Sequence, residues 1–126
     1  TTPQDIALID AKKGLRMFQK VNVPILGIIE NMSVFICPHC GEVEHIFGEG
    51  GAKRMSEQYG VPLLGELPLS AKIREQADSG LPTVAAEPDG KEALMYREMA
   101  MKVAGALARI TKDYTAKMPG IRVVND

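Results

Sequence analysis

The sequence predicts an α/β layered fold with a mostly parallel sheet flanked by helices, and three observations point to it. Residues 24–31 and 62–68 are short apolar runs without alternation, the pattern of strands covered on both faces. Segments with helical spacing stand before, between and after these runs, so strands and helices take turns along the chain. Gly, Pro and Asn fall at the breaks, where they end one element and admit the next.

The opening reads as a helix start. Thr2 suits an N-cap, Pro3 the first helical position, and Asp5 the acid of a capping box. Ala7, Leu8, Ala11, Leu15 and Phe18 recur at helical spacing, and the helix should fade near Lys20, ahead of Asn22 and Pro24. The first apolar run follows and closes on Glu30-Asn31. Residues 32–50 form a long connection holding both cysteines and both histidines, and connections of that length are usually functional. Gly48-Glu49-Gly50-Gly51 leads into a helix that ends about Tyr59, before Gly60 and Pro62. After the second run, Ser70 caps a helix with Ile73 and Ala77 inward, stopped by Gly80-Leu81-Pro82. Residues 83–86 read as a short extended piece, and Glu87-Pro88-Asp89-Gly90 as a turn. The longest helix carries Met95, Met99, Val103, Leu107 and Ile110 on one stripe. Two buried strands do not make a stable sheet, so the sheet reads as incomplete.

Composition narrows the class. The chain has 126 residues, 45% of them hydrophobic and 25% charged, which is the composition of an ordinary globular domain. A net charge of −1 offers no general attraction to nucleic acid or anionic lipid. No apolar run approaches the length of a membrane span, and the first residues lack the basic and apolar regions of an export signal. Two cysteines permit at most one disulfide. The expected setting is a reducing cytoplasm.

Cys37-Pro38-His39-Cys40-Gly41 is the strongest local signal. Two thiols three positions apart, with Gly after them, form a knuckle that can aim both sulfurs at one metal. From Val21 to Ala52 there is no Lys or Arg, so no cation nearby in sequence is available to stabilise a bare thiolate. Three readings compete. Buried apolar thiols fit poorly with Pro and His between them on a polar loop. A redox dithiol needs its first cysteine at a helix N-terminus, whereas residues 41–47 alternate like a strand. A metal site is favoured, and it is short of ligands. His45 fits the start of a zinc-knuckle spacing, but the closing position is Gly50. Two chains related by a two-fold axis, each giving Cys37 and Cys40, would supply four thiolates suited to zinc or an iron–sulfur cluster alike.

Other candidates are weaker. The only Gly-Lys pair, Gly90-Lys91, is followed by Glu92, so no Walker A loop is present and Gly48–Gly51 reads as a helix entry. Asn31 ends a buried strand, where ligands bind in open α/β sheets, and it could read a base edge or cap the turn. His39 and His45 are spare ligands or solvated loop residues. No catalytic residue is assigned.

Taken together, the ordered motifs Thr1-Thr2-Pro3-Gln4-Asp5, Lys13-Gly14-Leu15-Arg16, Gly27-Ile28-Ile29-Glu30-Asn31-Met32-Ser33, Cys37-Pro38-His39-Cys40-Gly41, Phe47-Gly48-Glu49-Gly50-Gly51 and Pro68-Leu69-Ser70-Ala71 resemble a known family. It is the Mrp/ApbC class of iron–sulfur cluster carrier ATPases, MinD relatives among the P-loop NTPases, and the likeness runs from Thr1 to about Ala108. The resemblance implies a cytoplasmic homodimer that holds a [4Fe-4S] cluster between subunits through the Cys-x2-Cys region. It further implies delivery to apo iron–sulfur proteins, coupled to ATP and Mg²⁺ in the full-length parent. Cys37 and Cys40 match the cluster-bridging pair. Asn31 matches the asparagine set against adenine, and Pro68 with the helix start after it matches the wall of the base pocket.

The family's deviant Walker A loop and Walker B aspartate do not occur in these 126 residues. The chain is therefore expected to be the carboxyl-terminal half of such a P-loop domain over residues 1–112, with a loose tail over 113–126, and not to hydrolyse ATP alone. The alternative function is a zinc-stapled dimeric interaction module without cluster transfer.

Overall fold

A computed structural model describes residues 1–110; the expectations for the tail over 113–126, and for the last two residues of the domain, lie outside the described residues. The chain runs through α1 (Asp5–Lys20), β1 (Ile28–Glu30), β2 (Phe35–Ile36), β3 (Val43–Glu44), α2 (Gly51–Tyr59), β4 (Leu63–Glu66), α3 (Ala71–Asp78), α4 (Thr83–Ala86) and α5 (Lys91–Ala108). β1 and β4 are parallel neighbours, with Ile28 opposite Leu63 and Glu30 opposite Glu66. The backbone of Thr1 lies along the other edge of β1: its amine donates to the Ile29 carbonyl at 3.0 Å, and Asn31 N–H donates to its carbonyl at 2.8 Å. β2 and β3 form a separate antiparallel hairpin.

The helix start differs from the expectation. Gln4, not Thr2, is the N-cap of α1, and it makes no side-chain capping bond. Thr2 spends its hydroxyl on Gln4 Oε1 at 2.7 Å, and Pro3 is buried before the helix begins, so neither enters the first turn. The other end follows the sequence closely. Asn22 takes a left-handed φ of 55°, its N–H bonds Gln19 O at 3.2 Å, and Val23 N–H bonds Phe18 O at 2.9 Å. This is a Schellman closure with Asn in the position usually held by Gly.

Leu8 and Leu15 of α1 join Ile28, Ala52, Met55 and Val61 in one core cluster, with Ala11, Ile25 and Leu63 packed against it. Phe18, at the end of the expected stripe, is 44% exposed. α5 packs on β4, where a Cβ on Gly65 would overlap the Met99 side chain. Only Ala93 and Met99 of α5 are buried, and Leu107 is exposed. Strand coverage is one-sided as well. Ile28 and Glu30 are buried while Ile29 between them is 37% exposed, so β1 lacks the second covering layer that its continuous apolar run predicts.

Residues 83–86 are a turn of helix rather than extended. Ala85 and Ala86 both bond the Pro82 carbonyl, at 2.8 and 2.9 Å, and Thr83 is buried where the turn meets α3 and α5. Thr and Val suggest a strand locally, but Pro82 at the N-cap and this packing decide otherwise. Ser70 does cap α3, accepting from Ile73 N–H at 3.4 Å. Helical spacing places Ile73 and Ala77 inward; Ile73 is half-buried, whereas Ala77 is exposed and α3 has no fully buried residue.

Candidate functional site

The polypeptide leaves the carboxyl end of β1 at Asn31, runs out through β2, turns at the two cysteines and returns through β3 to α2. Several bonds clamp the base of this excursion. Ser33 is buried, and both its N–H and its hydroxyl donate to the Leu67 carbonyl, at 2.9 and 3.0 Å. Leu67 N–H donates to Glu30 O at 2.8 Å, and Leu69 N–H to Val34 O at 2.8 Å. A parallel bridge joins Phe35 to Leu69.

The return leg is anchored by Glu30, the largest fully buried side chain among the described residues. Its Oε2 accepts from Ala52 N–H at 2.6 Å, in the first turn of α2, where orphan N–H groups and the helix dipole favour an anion. Gly50 enters the helix with φ 67°, and a Cβ on Gly51 would stand 2.7 Å from Leu8 Cδ1. The glycine run is therefore a tight helix entry, as the sequence suggests. Glu30 is legible as the polar end of an apolar run, but its role in holding α2 is not.

At the tip, Cys37 N–H donates to Glu42 O at 2.8 Å, and Gly41 N–H, with φ 75°, closes back to Cys37 O at 2.9 Å. Cys37 is half-buried and Cys40 exposed, both as free thiols. The backbone N–H groups of Cys40 and then His39, with the Cys40 thiol, hold the Cys37 thiol below the ordinary cysteine range. They outweigh partial desolvation and the nearby charge of Glu44. These donors favour the thiolate over the thiol at Cys37, and the thiolate is the form that binds metal. The segment after Cys40 pairs as β3, so the helix N-terminus that a thioredoxin-like dithiol uses is replaced by a strand.

The histidines do not join the thiols. His45 Nδ1 lies 3.3 Å from the Ser33 carbonyl, and its Nε2 lies 3.9 Å from Glu49 at the hairpin base, while His39 is exposed. No group of three or more His, Cys, Asp or Glu side chains is gathered for a metal among the described residues. The knuckle offers two sulfurs.

Asn31 and Pro68, far apart in sequence, line one cavity of about 430 Å³ together with Phe35, Ala71, Ile73 and Arg74. Asn31 Oδ1 accepts from Met32 N–H at 3.0 Å, and Met32 has φ 58°. Asn31 thus caps the turn, and its amide nitrogen has no hydrogen bond among the described residues. A flat heteroaromatic ring fits the apolar lining of this cavity, and the residues present suit the base end of a nucleotide. A second cavity of about 710 Å³ begins at Cys37 and Pro38 and reaches Lys72 and Lys91. No described helix is long and apolar enough to cross a membrane.

A family model described as ParA, the NUBPL iron-transfer P-loop NTPase, matches residues 1–104. The iron–sulfur cluster carrier protein of Pseudomonas fragi is 57% identical over 101 residues, covering 80% of this chain and 35% of that protein. The Escherichia coli K12 protein of the same name is 56% identical over 107 residues, covering 85% of this chain and 29% of its own length. The iron–sulfur cluster transfer protein NUBPL of Dictyostelium discoideum is 46% identical over 113 residues, 90% of this chain and 35% of that protein. Among solved structures, a nucleotide-binding protein from Archaeoglobus fulgidus in complex with ADP superimposes with a TM-score of 0.58 at 29% identity. The match covers 76% of this chain and 38% of that one. The chain therefore spans about a third of the length of the curated relatives it matches.

Proposed function

The chain belongs to the NUBPL iron-transfer P-loop NTPase family, and from that membership we propose that it is the cargo-holding part of an iron–sulfur cluster carrier. The fold is the corresponding part of a P-loop domain. The observation that carries the proposal is the knuckle itself. Cys37 and Cys40 stand at the tip of a clamped hairpin, with backbone N–H groups favouring the Cys37 thiolate. A [4Fe-4S] cluster needs four protein thiolates, and each chain presents two. Two copies meeting tip to tip complete the ligand set, and the cluster they share is cargo for apo iron–sulfur proteins. Exposure of Cys40 at the tip favours exchange over burial, since an incoming thiolate must reach iron for transfer to proceed.

Asn31 and Pro68 are proposed to hold the adenine of ATP. The residues that would hold phosphates and Mg²⁺ are not in this sequence, so hydrolysis is assigned to a longer parent. The bacterial carriers among the relatives favour the cytoplasm as its place of action.

Anaerobic reconstitution with ferrous iron and sulfide tests the reading. The expected product is a brown, reducible species with two chains per cluster, lost in Cys37→Ser and in Cys40→Ser. Visible absorbance that survives both substitutions overturns the site. Protein purified without oxygen that holds zinc and no sulfide, and takes up no cluster on reconstitution, supports the zinc-stapled dimer instead.

A further inference from the structure

The two cavities at the carboxyl end of the sheet share a wall. Phe35, Pro68, Leu69 and Ala71 line both the cavity that holds Asn31 and the cavity that holds Cys37. The wall is continuous backbone, because Leu69 N–H bonds Val34 O at 2.8 Å and Phe35 bridges Leu69 directly. Phe35 is also the first residue of β2, the strand that ends one residue before Cys37. One aromatic side chain therefore touches the proposed base site on one side and stands two positions from the cluster ligand on the other.

The surroundings decide what this can do. The hairpin is not part of the core: Ile36, Val43 and Ile46 are each more than half exposed, and β3 has no buried residue. α3, which forms the far side of both cavities, has no buried residue either. The shared wall is thus the part of the clamped base that lies nearest the thiols. An element held by so few contacts responds to small changes in its support.

We propose that Phe35 is a positioning residue that links the two sites, so that a base bound in the Asn31–Pro68 cavity sets the geometry of the Cys37–Cys40 knuckle. A ring seated against Phe35 and Pro68 fixes the Leu69 ladder and reduces the freedom of β2. Metal bound afterwards then finds the two sulfurs already placed and meets a smaller ordering cost. Linkage is reciprocal, so metal at the knuckle must tighten base binding by the same factor. The proposal rests on the reading of these two sites as base pocket and metal knuckle, and it goes beyond that reading by making the base end of the nucleotide, rather than its phosphates, sufficient for communication.

These 126 residues hold no Walker A loop, so an effect of ADP on them is read without one. Co²⁺ reports thiolate ligation by its visible absorbance, and ADP reports the base pocket through the amide resonances of Asn31 and its neighbours. Co²⁺ affinity is measured with and without saturating ADP in wild type, Phe35→Ala and Phe35→Leu. The expected result is a gain of at least about fivefold with ADP in wild type, within the usual range of coupling energies. The gain falls below about twofold in Phe35→Ala and returns in part in Phe35→Leu, which keeps an apolar side chain against the wall. Each variant still binds Co²⁺ through its thiols in the absence of ADP and keeps the amide spectrum of the folded chain, which a general loss of structure does not allow. ADP affinity itself falls in Phe35→Ala, so the gain is measured at ADP concentrations that saturate each variant. Both ligands binding wild type with no mutual effect overturns the linkage and leaves the two sites standing. Both effects persisting unchanged in Phe35→Ala overturns the role of Phe35. Failure of ADP to shift Asn31, or of Co²⁺ to find the thiols, overturns the underlying site and the linkage with it.

Discussion

The α1–β1–α2 platform and the cysteine hairpin are joined by bonds at a single base, yet they are built on opposite terms. In the platform, Leu8, Leu15, Ile28, Met55 and Val61 are buried against one another, and each excludes water from the rest. In the hairpin, a two-residue strand pair exposes Ile36 and Val43, and its order comes from backbone bonds and the clamp at Ser33 and Glu30. The comparison shows a separation of duties. Apolar burial sets the stability of the fold, and an excursion that adds little burial presents the thiols. The two thiols stand on the hairpin tip, Cys37 half-buried and Cys40 exposed, which suits the cargo role proposed for them.

The largest effect expected from this division is at the tip. Cys37→Ser and Cys40→Ser each remove the visible absorbance of the reconstituted protein completely, while urea unfolding of the metal-free chain moves by no more than about 0.5 kcal/mol, as for other surface changes. A large loss of metal-free stability in either variant breaks the comparison. The converse substitution lies in the platform. Met55→Ala, at a side chain only 3% exposed, should cost about 2–5 kcal/mol in the same unfolding measurement. Its thiols should still bind Co²⁺ under conditions where the chain is folded.

Glu30 sharpens the boundary between the two regions. Glu30→Ala leaves the Ala52 N–H without its acceptor in a buried place, at a cost of about 1–3 kcal/mol, whereas Glu30→Gln keeps an oxygen there and should lose less. Equal losses in the two variants would show that charge at the helix start, not the bond, is what matters. A smaller effect is expected at α3, where Ser70→Ala removes a helix cap and should lower stability by about 1 kcal/mol.

The last expectation concerns pH. Cys37 is held below its ordinary value by backbone donors, so its thiolate is favoured in the folded chain. The sign follows from that direction. The contribution to stability is present above the unfolded thiol's pKa and fades as pH falls through the folded one. Alkylation of Cys37 followed against pH should therefore show a lower midpoint in the folded chain than in urea. Coincident midpoints would remove the backbone donors from the account.

Much of this was legible locally. Asn22 and Pro24 announce the end of α1, Ser70 announces α3, and alternation over residues 41–47 announces a strand in place of the helix a redox dithiol requires. The cysteine pair at three-residue spacing is readable without any fold. The misses share one cause. Thr2 and Pro3 carry capping propensity, but Gln4 holds the Thr2 hydroxyl and Pro3 is packed against Gly51, so the helix begins later. Residues 83–86 carry strand propensity, and a proline N-cap with neighbours on α3 and α5 makes them helical. Propensity is a weak preference per residue, and tertiary contacts of a few tenths to a few kcal/mol override it.

The sequence by itself determined the alternation of helix and buried strand, the knuckle, and the lack of a phosphate loop, since each depends on residues close along the chain. Only the tertiary structure decided that Asn31 and Pro68 share a cavity, that Glu30 is buried to hold α2, and that Phe35 lines both cavities. Those facts depend on which distant segments the parallel pairing of β1 with β4 brings together, and spacing along a chain carries no record of that pairing.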